Sequence, residues 1–584
     1  MKDKGDLKGL NNAQREAVCF MNGPSVILAG AGSGKTRVLI HKVLYLVESG
    51  INPSSILMIT FTNKAASEMK QRIAKSKIGQ QGDRLGYVGT FHSFCAQVLR
   101  IDGFEVGIDR KYVIYDDQDQ LNLIKSILKS HDSKRLTPSY VQYRISAAKN
   151  SAISYEDYTK IFSDYNAVSI AEIYALYEKN LHKNSALDFD DLILKTILLF
   201  DRSSQVLEKY QRRFLYFLID EFQDTNTAQY LLTKVLASKS KNITVVGDFS
   251  QSIYSWRGAD IRNLERFKED FRDSKVFLLE KNYRSTQKIL DYAYKVISKN
   301  QTHPILKLET ENYEGEDIVI YEAESEQDEA IFIASEVESI ASKDQSATSC
   351  VLYRTNAQSR VLEEALLHQA IPYVLIGGTR FYERKEIKDV LSYIRLMLNP
   401  KDTVSYDRTK KIGKGKLSRF LILQKSIHSK VDKLTTEEIM EQIFKSTGYL
   451  ELYNPDIPED YSRLENLKEL KSVAVRYPKL EEFLEQVALV ESEYFEGEKR
   501  ATEKSVRLMT LHQAKGLEFD YVFISGVEEG ILPHARSIDD LFELEEERRL
   551  FYVGITRARK KLYLTVTRRR FIFGRRIESV PSRF

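Results

Sequence analysis

Short apolar runs rich in β-branched residues punctuate the first half of the chain at Ser25–Ala29, Ile56–Phe61, Tyr87–Phe91, Tyr216–Asp220 and Ile243–Gly247. Between most of them, apolar residues recur every three or four positions, the pattern of a helix with one buried face. Strands separated by helices predict a mostly parallel, doubly wound sheet. The alternation breaks from about Tyr112 to Ala186, where Leu121, Ile124 and Leu128 keep helical spacing, and this predicts a helical insertion. A second alternating series starts near Lys275, with runs at Val276–Leu279, Ile318–Tyr321, Cys350–Tyr353, Tyr373–Ile376, Val506–Leu511, Val522–Ser525 and Leu562–Val566. It is interrupted by a charged, largely helical stretch from about Asn399 to Thr502. The expected organisation is two similar α/β domains, each carrying a helical insertion.

Composition narrows the class without choosing a function. A chain of 584 residues is too long for one hydrophobic core. Its 42% hydrophobic and 29% charged content is that of an ordinary soluble globular protein. No apolar run is long enough to span a bilayer, and the start MKDKGDLKGL is too polar for a signal peptide, so a cytoplasmic protein is expected. Cys19, Cys95 and Cys350 lack metal-binding spacing and read as free thiols. Net charge is only +4, but residues 557–576 hold nine Arg and Lys residues and no acid. Such a run is a solvated face or a phosphate contact, and composition favours neither.

Chemistry enters at Ala29-Gly30-Ala31-Gly32-Ser33-Gly34-Lys35-Thr36, which follows a strand and opens a helix. Glycines there let successive backbone N–H groups face phosphate oxygens. Lys35 reaches the outer phosphates of ATP, and the Thr36 hydroxyl is placed to ligate Mg²⁺. A partner appears at Leu218-Ile219-Asp220-Glu221, an apolar strand ending in two carboxylates at the edge where ligands of parallel sheets bind. Asp220 suits Mg²⁺, and Glu221 suits the attacking water.

These blocks, together with LNNAQREAV (10–18), TFTNKAASEM (60–69), GTFHSF (89–94), ALDFDDLI (186–193), VVGDFSQSIYSWRGAD (245–260), LEKNYRST (279–286), VLYRTNAQSR (351–360), GGTRFYERKEIKD (377–389), LMTLHQAKGLEF (508–519) and EEERRLFYVGITRA (545–558), closely resemble the UvrD/PcrA/Rep group of superfamily 1 DNA helicases. The resemblance runs from Leu10 to Phe584, with a weak stretch near 405–500. It implies two RecA-like P-loop domains with parallel sheets: a first at 1–111 and 186–274 around an insertion at 112–185, and a second at 275–398 and 503–584 around an insertion at 399–502. It also implies an ATP-dependent motor moving 3′→5′ on single-stranded DNA, acting at single-strand/duplex junctions, with repair or replication proteins as partners and no membrane.

Carried over residue by residue, the resemblance gives Gln14 the adenine edge, Tyr283 and Arg37 the two faces of the base, and Glu518 the ribose. Gln251 senses the γ-phosphate, and Arg284 and Arg557 are arginine fingers from the second domain. Phe61, Asn63, His92, Tyr254, Trp256, Arg257, Arg354, Asn356, Thr510 and His512 line the DNA track, which suits a translocating motor that stacks bases on aromatic platforms. One departure is plain. The second insertion is short, holding the basic turn from Arg408 to Lys416 but little of the helical material expected before Thr447-Gly448-Tyr449. This leaves a single-strand translocase that displaces proteins without unwinding as the alternative, with a catalytically inactive DNA-binding scaffold third.

Overall fold

A computed structural model describes residues 7–76, 85–130, 136–500, 502, 504–572 and 575–584. The polar start of the chain at 1–6 lies outside them. The chain forms two compact units: residues up to Arg284 together with Ile297–Glu311, and Ser285–Val296 together with Asn312–Phe584.

The first unit is built on strands β1 (Ser25–Ala29), β2 (Ile56–Thr60), β3 (Tyr87–Thr90), β6 (Tyr216–Ile219), β7 (Ile243–Gly247) and β8 (Lys275–Leu279). They form one sheet in the order β3-β2-β6-β7-β1-β8, with all pairs parallel. Successive residues of a strand face opposite sides, so a sheet covered on both faces needs unbroken apolar runs. Val26, Leu28, Leu57, Ile59, Phe217 and Ile219 pack on one side. Their neighbours Ile27, Ala29, Ile56, Met58, Tyr216 and Leu218 pack on the other. The insertion is bounded by β4 (Val113–Tyr115) and β5 (Ala186–Asp188), which pair with each other, and its helices close a core around Ile145, Ile170, Ile173 and Tyr177.

One strand is assigned differently by the structure than by its pattern. Val276–Leu279 does not open the second series but forms the edge of the first sheet, in register with β1 from Ser25↔Lys275 to Ala29↔Leu279. Val276 and Leu278 are exposed while Phe277 and Leu279 are buried, as for an edge strand with one covered face. The compact units accordingly part between Arg284 and Ser285 rather than at the expected 274/275 boundary. The short parallel pair β9 (Lys281–Asn282) and β10 (Glu309–Thr310) also belongs to the first unit.

The second unit holds β11 (Val319–Ala323), β12 (Ser349–Tyr353), β13 (Tyr373–Leu375), β14 (Val506–Thr510), β15 (Phe519–Ile524) and β16 (Ala558–Thr567). Their order is β11-β16-β15-β12-β14-β13, again wholly parallel. The described residues of the 399–502 stretch are largely helical, as its pattern predicts. Its core also takes in the Lys385–Leu398 helix, through Ile387, Val390 and Ile394 packed with Phe420, Ile443 and Leu470. No described helix is long and apolar enough to cross a membrane.

Candidate nucleotide and nucleic-acid sites

The phosphate loop follows β1 and leads into the helix Lys35–Glu48, whose N-cap Gly34 has φ 86°. Gly32 has φ +64°, and a Cβ there would stand 2.8 Å from Asn282 Nδ2 and 2.9 Å from Arg284 Cβ. Only glycine satisfies both the left-handed backbone and this close approach. The Ser33 hydroxyl donates to Gly30 O at 2.8 Å, and Asn282 Nδ2 donates to Ala31 O at 2.6 Å, so the loop is held from within and from β9. Lys35 Nζ lies 4.0 Å from Asp248 Oδ2. Asp248 Oδ2 also accepts from Gln251 Nε2 at 2.6 Å.

Beside this group, burial and the neighbouring Glu221 carboxylate push the Asp220 carboxyl up to about 7, against the pull of Lys35. Glu221 sits at φ 50°, its N–H donating to Asp220 Oδ1 at 3.0 Å and its Oε2 accepting from Gln223 Nε2 at 2.6 Å. Gln223 Oε1 in turn accepts from the Asp248 N–H at 3.1 Å. A desolvated carboxylate at a strand end fits a cation that brings its own waters and phosphate ligands, which is how Mg²⁺ is usually held. Among the described residues no group of three or more His, Cys, Asp or Glu side chains could hold a metal ion. Thr36 is the second residue of the helix that Lys35 begins.

The base-binding candidates gather around the first helix, Asn12–Cys19. Gln14 is buried; its Oε1 accepts from the Asn11 N–H at 3.1 Å, and its Nε2 donates to Ser33 O at 2.9 Å. In this structure the expected adenine reader thus clamps helix and phosphate loop together. Asn11 Nδ2 donates to the Tyr283 hydroxyl at 3.0 Å, leaving the Tyr283 ring half-exposed, and Arg37 is exposed. Arg284, expected in the second domain, ends the first unit instead, with its N–H donating to Asn282 Oδ1 at 2.7 Å. Arg557 and Glu518 lie in the second unit. Arg557 is buried, with Nε donating to Val553 O at 2.9 Å and Nη1 to Leu517 O at 3.2 Å, while Glu518 is partly exposed and lies 3.6 Å from Arg559.

Of the track candidates in the first unit, Phe61 and Tyr254 stack at 6.2 Å and 6°. Trp256 stands edge-on to Tyr254 at 6.5 Å, and the Arg257 guanidinium lies 4.5 Å over the Trp256 ring. Trp256 is 40% exposed, so a buried core role for this residue is excluded. Asn63 opens the helix Asn63–Ala74. His92 packs edge-on against Phe189 rather than on that trio, and burial lowers its pKa. In the second unit Arg354 makes a bidentate pair with Glu547, the shortest contact being 2.6 Å. Asn356 Nδ2 reaches Ser462 Oγ at 3.5 Å, the Thr510 hydroxyl accepts from the Gln513 N–H at 3.4 Å, and His512 is partly buried.

Comparison with known proteins decides the family. The model of the UvrD/REP helicase N-terminal domain matches residues 10–272, and that of the UvrD-like helicase C-terminal domain matches 277–443 and 416–569. The chain belongs to the UvrD/REP helicase family. It is 43% identical over 632 residues to the ATP-dependent DNA helicase PcrA of Bacillus subtilis, covering 99% of this chain and 85% of that protein. Helicases of the same name from Staphylococcus epidermidis and Staphylococcus aureus are each 42% identical over 633 residues, covering 99% of this chain and 86% of theirs.

Three residues of these sites escaped the sequence reading. Asp248 carries the same signal that singled out Asp220, an apolar strand running into an acid. Gln223 and Glu547 had no such signal, because each acts through a partner distant in sequence. The basic run at 557–576 is largely spent within the fold: Lys561 pairs with Glu316, Arg568 with Glu322 and Glu324, and buried Arg570 with Glu528 and Glu329. Arg569, Arg575 and Arg576 remain on the surface.

Proposed function

We propose that this ATP-dependent DNA helicase moves 3′→5′ along single-stranded DNA, coupling each hydrolysis event to a shift of stacked bases. The observation that carries the reading is one short segment. Gln251 is bonded to Asp248, which faces Lys35; Tyr254 and Trp256 follow within five residues as a half-exposed aromatic platform. A change at the outer phosphate therefore reaches a base-stacking surface through a few peptide units.

In this reading the phosphate loop binds ATP, Thr36 and Asp220 hold Mg²⁺, and Glu221 orients and deprotonates the attacking water. Gln251 reports the γ-phosphate, while Arg284 and Arg557 stabilise the charge that develops on it. Gln14, Arg37, Tyr283 and Glu518 hold the nucleoside. The bound metal supplies Lewis-acid polarisation of the phosphates. Single-stranded DNA and single-strand/duplex junctions are the substrates, repair or replication proteins the partners, and the cytoplasm the compartment.

A second reading, a translocase that strips proteins without separating strands, is favoured by the second insertion. The C-terminal family model matches in two overlapping pieces, 277–443 and 416–569. The aligned span of 632 residues exceeds the 584 of this chain, so the relative carries extra residues with no counterpart here. Strand separation on duplexes with a 3′ or a 5′ single-stranded tail, with ATP and Mg²⁺, tests both. Opening only the 3′-tailed duplex supports the helicase polarity. Opening of neither, with DNA-stimulated ATP turnover intact, selects the translocase.

A further inference from the structure

One helix of the second unit, Leu541–Ile555, touches two stretches expected on the DNA track and leads into Arg557, expected at the phosphates. In its first half Glu547, 4% exposed, accepts from Arg354 Nε at 2.9 and 3.0 Å and from Arg354 Nη2 at 2.6 Å. The same carboxylate accepts the His534 N–H at 3.0 Å. Burial alone would raise the Glu547 pKa, but Arg354 first, and then His512, hold it below the usual carboxylate range. Near the end of the helix lies Gly554. A Cβ there would stand 2.4 Å from Leu511 Cδ2 and 3.0 Å from Ile524 Cδ1, so the helix backbone rests directly on the turn that carries Thr510 and His512. Two residues past its end, Arg557 is clipped to Leu517 of the same 508–519 block.

We propose that Glu547 is a positioning residue that couples entry of single-stranded DNA at Arg354 to the placement of Arg557, with this helix as the stiff connection. The proposal rests on the helicase reading above, in which Arg354 meets the strand and Arg557 the phosphates. A guanidinium has five donors in a fixed fork. Those of Nε and Nη2 face Glu547, so a DNA phosphate arriving at the others shares one rigid group with a buried carboxylate. A buried carboxylate stays with its partner, because separation leaves its charge uncompensated. Movement of Arg354 is therefore carried into the helix, whose rise sets its end at Ile555 about 12 Å along from Glu547, two residues short of Arg557. Gly554 keeps the intervening turn in contact, so the displacement is not absorbed on the way.

The test is steady-state ATP turnover of the full chain, without DNA and across a titration of oligo(dT). For Glu547→Gln the DNA-saturated kcat is expected to fall about ten-fold, the scale of an ordinary coupling between sites. The half-saturating DNA concentration should move by less than about three-fold, and Glu547→Asp should restore much of the loss. A role in DNA affinity alone would do the opposite, raising the half-saturating concentration while leaving kcat intact. The double variant Arg354→Ala/Glu547→Gln removes both members of the buried pair and carries the test if the single variant does not fold; its DNA-saturated kcat should likewise fall about ten-fold. A full DNA-saturated kcat in Glu547→Gln or in the double variant would overturn the proposal. Unmodified chain whose turnover DNA fails to stimulate would instead overturn the helicase reading beneath it.

Discussion

Lys149 offers the sharpest test of how the first insertion is held to its sheet domain. It is 1% exposed, and its ammonium sits 2.7 Å from Glu178, 2.7 Å from Asp188 and 2.8 Å from Asp191. Asp188 and Asp191 form the capping box of the helix Phe189–Arg202, so the ion cluster also fixes that helix start. Burial alone would lower the Lys149 pKa, but the three carboxylates hold it well above the usual value. Lys149→Met removes the cation, keeps most of the volume and leaves the carboxylates facing one another. Breaking a buried ion pair from one side costs about 3–5 kcal/mol.

The pH dependence of that loss has a definite sign. Burial would raise Glu178, yet Lys149 and Lys195 hold it at about 2, so it contributes stability above pH 4.5 that is lost as pH falls towards 2. Burial and Asp188 raise Asp191 to about 7 despite Lys149, so its ionisation costs stability increasingly as pH rises from 3.8 to 7. Without Lys149 both groups shift upward, and folding then favours their protonated forms. The destabilisation should therefore be largest near pH 8 and shrink towards pH 5. Hydrogen exchange of the 136–202 segment against pH measures it locally, which avoids treating a two-unit chain as two-state. Protection equal to that of the unmodified chain at pH 8, or a deficit that grows on acidification, would refute the reasoning.

Three further outcomes follow from the site geometry. Because Asp220 titrates near 7, the Mg²⁺ concentration giving half-maximal ATP turnover should fall as pH rises from 6 to 8, and a flat profile would remove Asp220 from the metal site. Single-stranded DNA at saturation should quench or shift the fluorescence of Trp256, the sole tryptophan; an unchanged spectrum would argue against stacking on it. Gly32→Ala combines a left-handed backbone with contacts of 2.8 and 2.9 Å, which together cost about 2–5 kcal/mol. Affinity for a fluorescent ATP analogue should consequently drop at least thirty-fold, or roughly 2 kcal/mol, and an unaltered Kd would sink the cradle.

Most strands could be read from the chain because both sheets are covered on both faces. Runs such as Ser25–Ala29 and Ile243–Gly247 had to be apolar at every position. The strand assigned to the wrong domain, β8, has one exposed face, and nothing local says which sheet it joins. The loop from Ala29 to Thr36 was legible because its residues lie in one contiguous segment. The network around it was not, since Asn282 reaches Ala31 across 251 positions and Glu547 reaches Arg354 across 193. The charge run at 557–576 stayed undecided for a related reason: composition counts cations, while ion pairing is decided by the tertiary neighbours Glu316, Glu329 and Glu528.

The same long-range logic ties the first insertion to the chemistry. Asn150 adjoins Lys149 on the helix Pro138–Asn150, and its Oδ1 accepts from Asn226 Nδ2 at 2.6 Å, just past the Asp220–Asp224 acids. Its Nδ2 reaches Asp190 at 3.3 Å. Gly258, at φ +87°, closes the turn after Trp256, and a Cβ there would stand 3.3 Å from Asn150 Cβ. One amide thus touches the segment that follows the Asp220–Asp224 acids and the turn that carries Tyr254 and Trp256. The insertion consequently cannot shift against its sheet domain without disturbing both, and the buried Lys149 cluster one residue away resists that shift. A loosened Lys149→Met variant should therefore lose DNA-stimulated ATP turnover more than it loses ATP binding. Equal losses in both would show that the insertion stabilises the domain without linking its two sites.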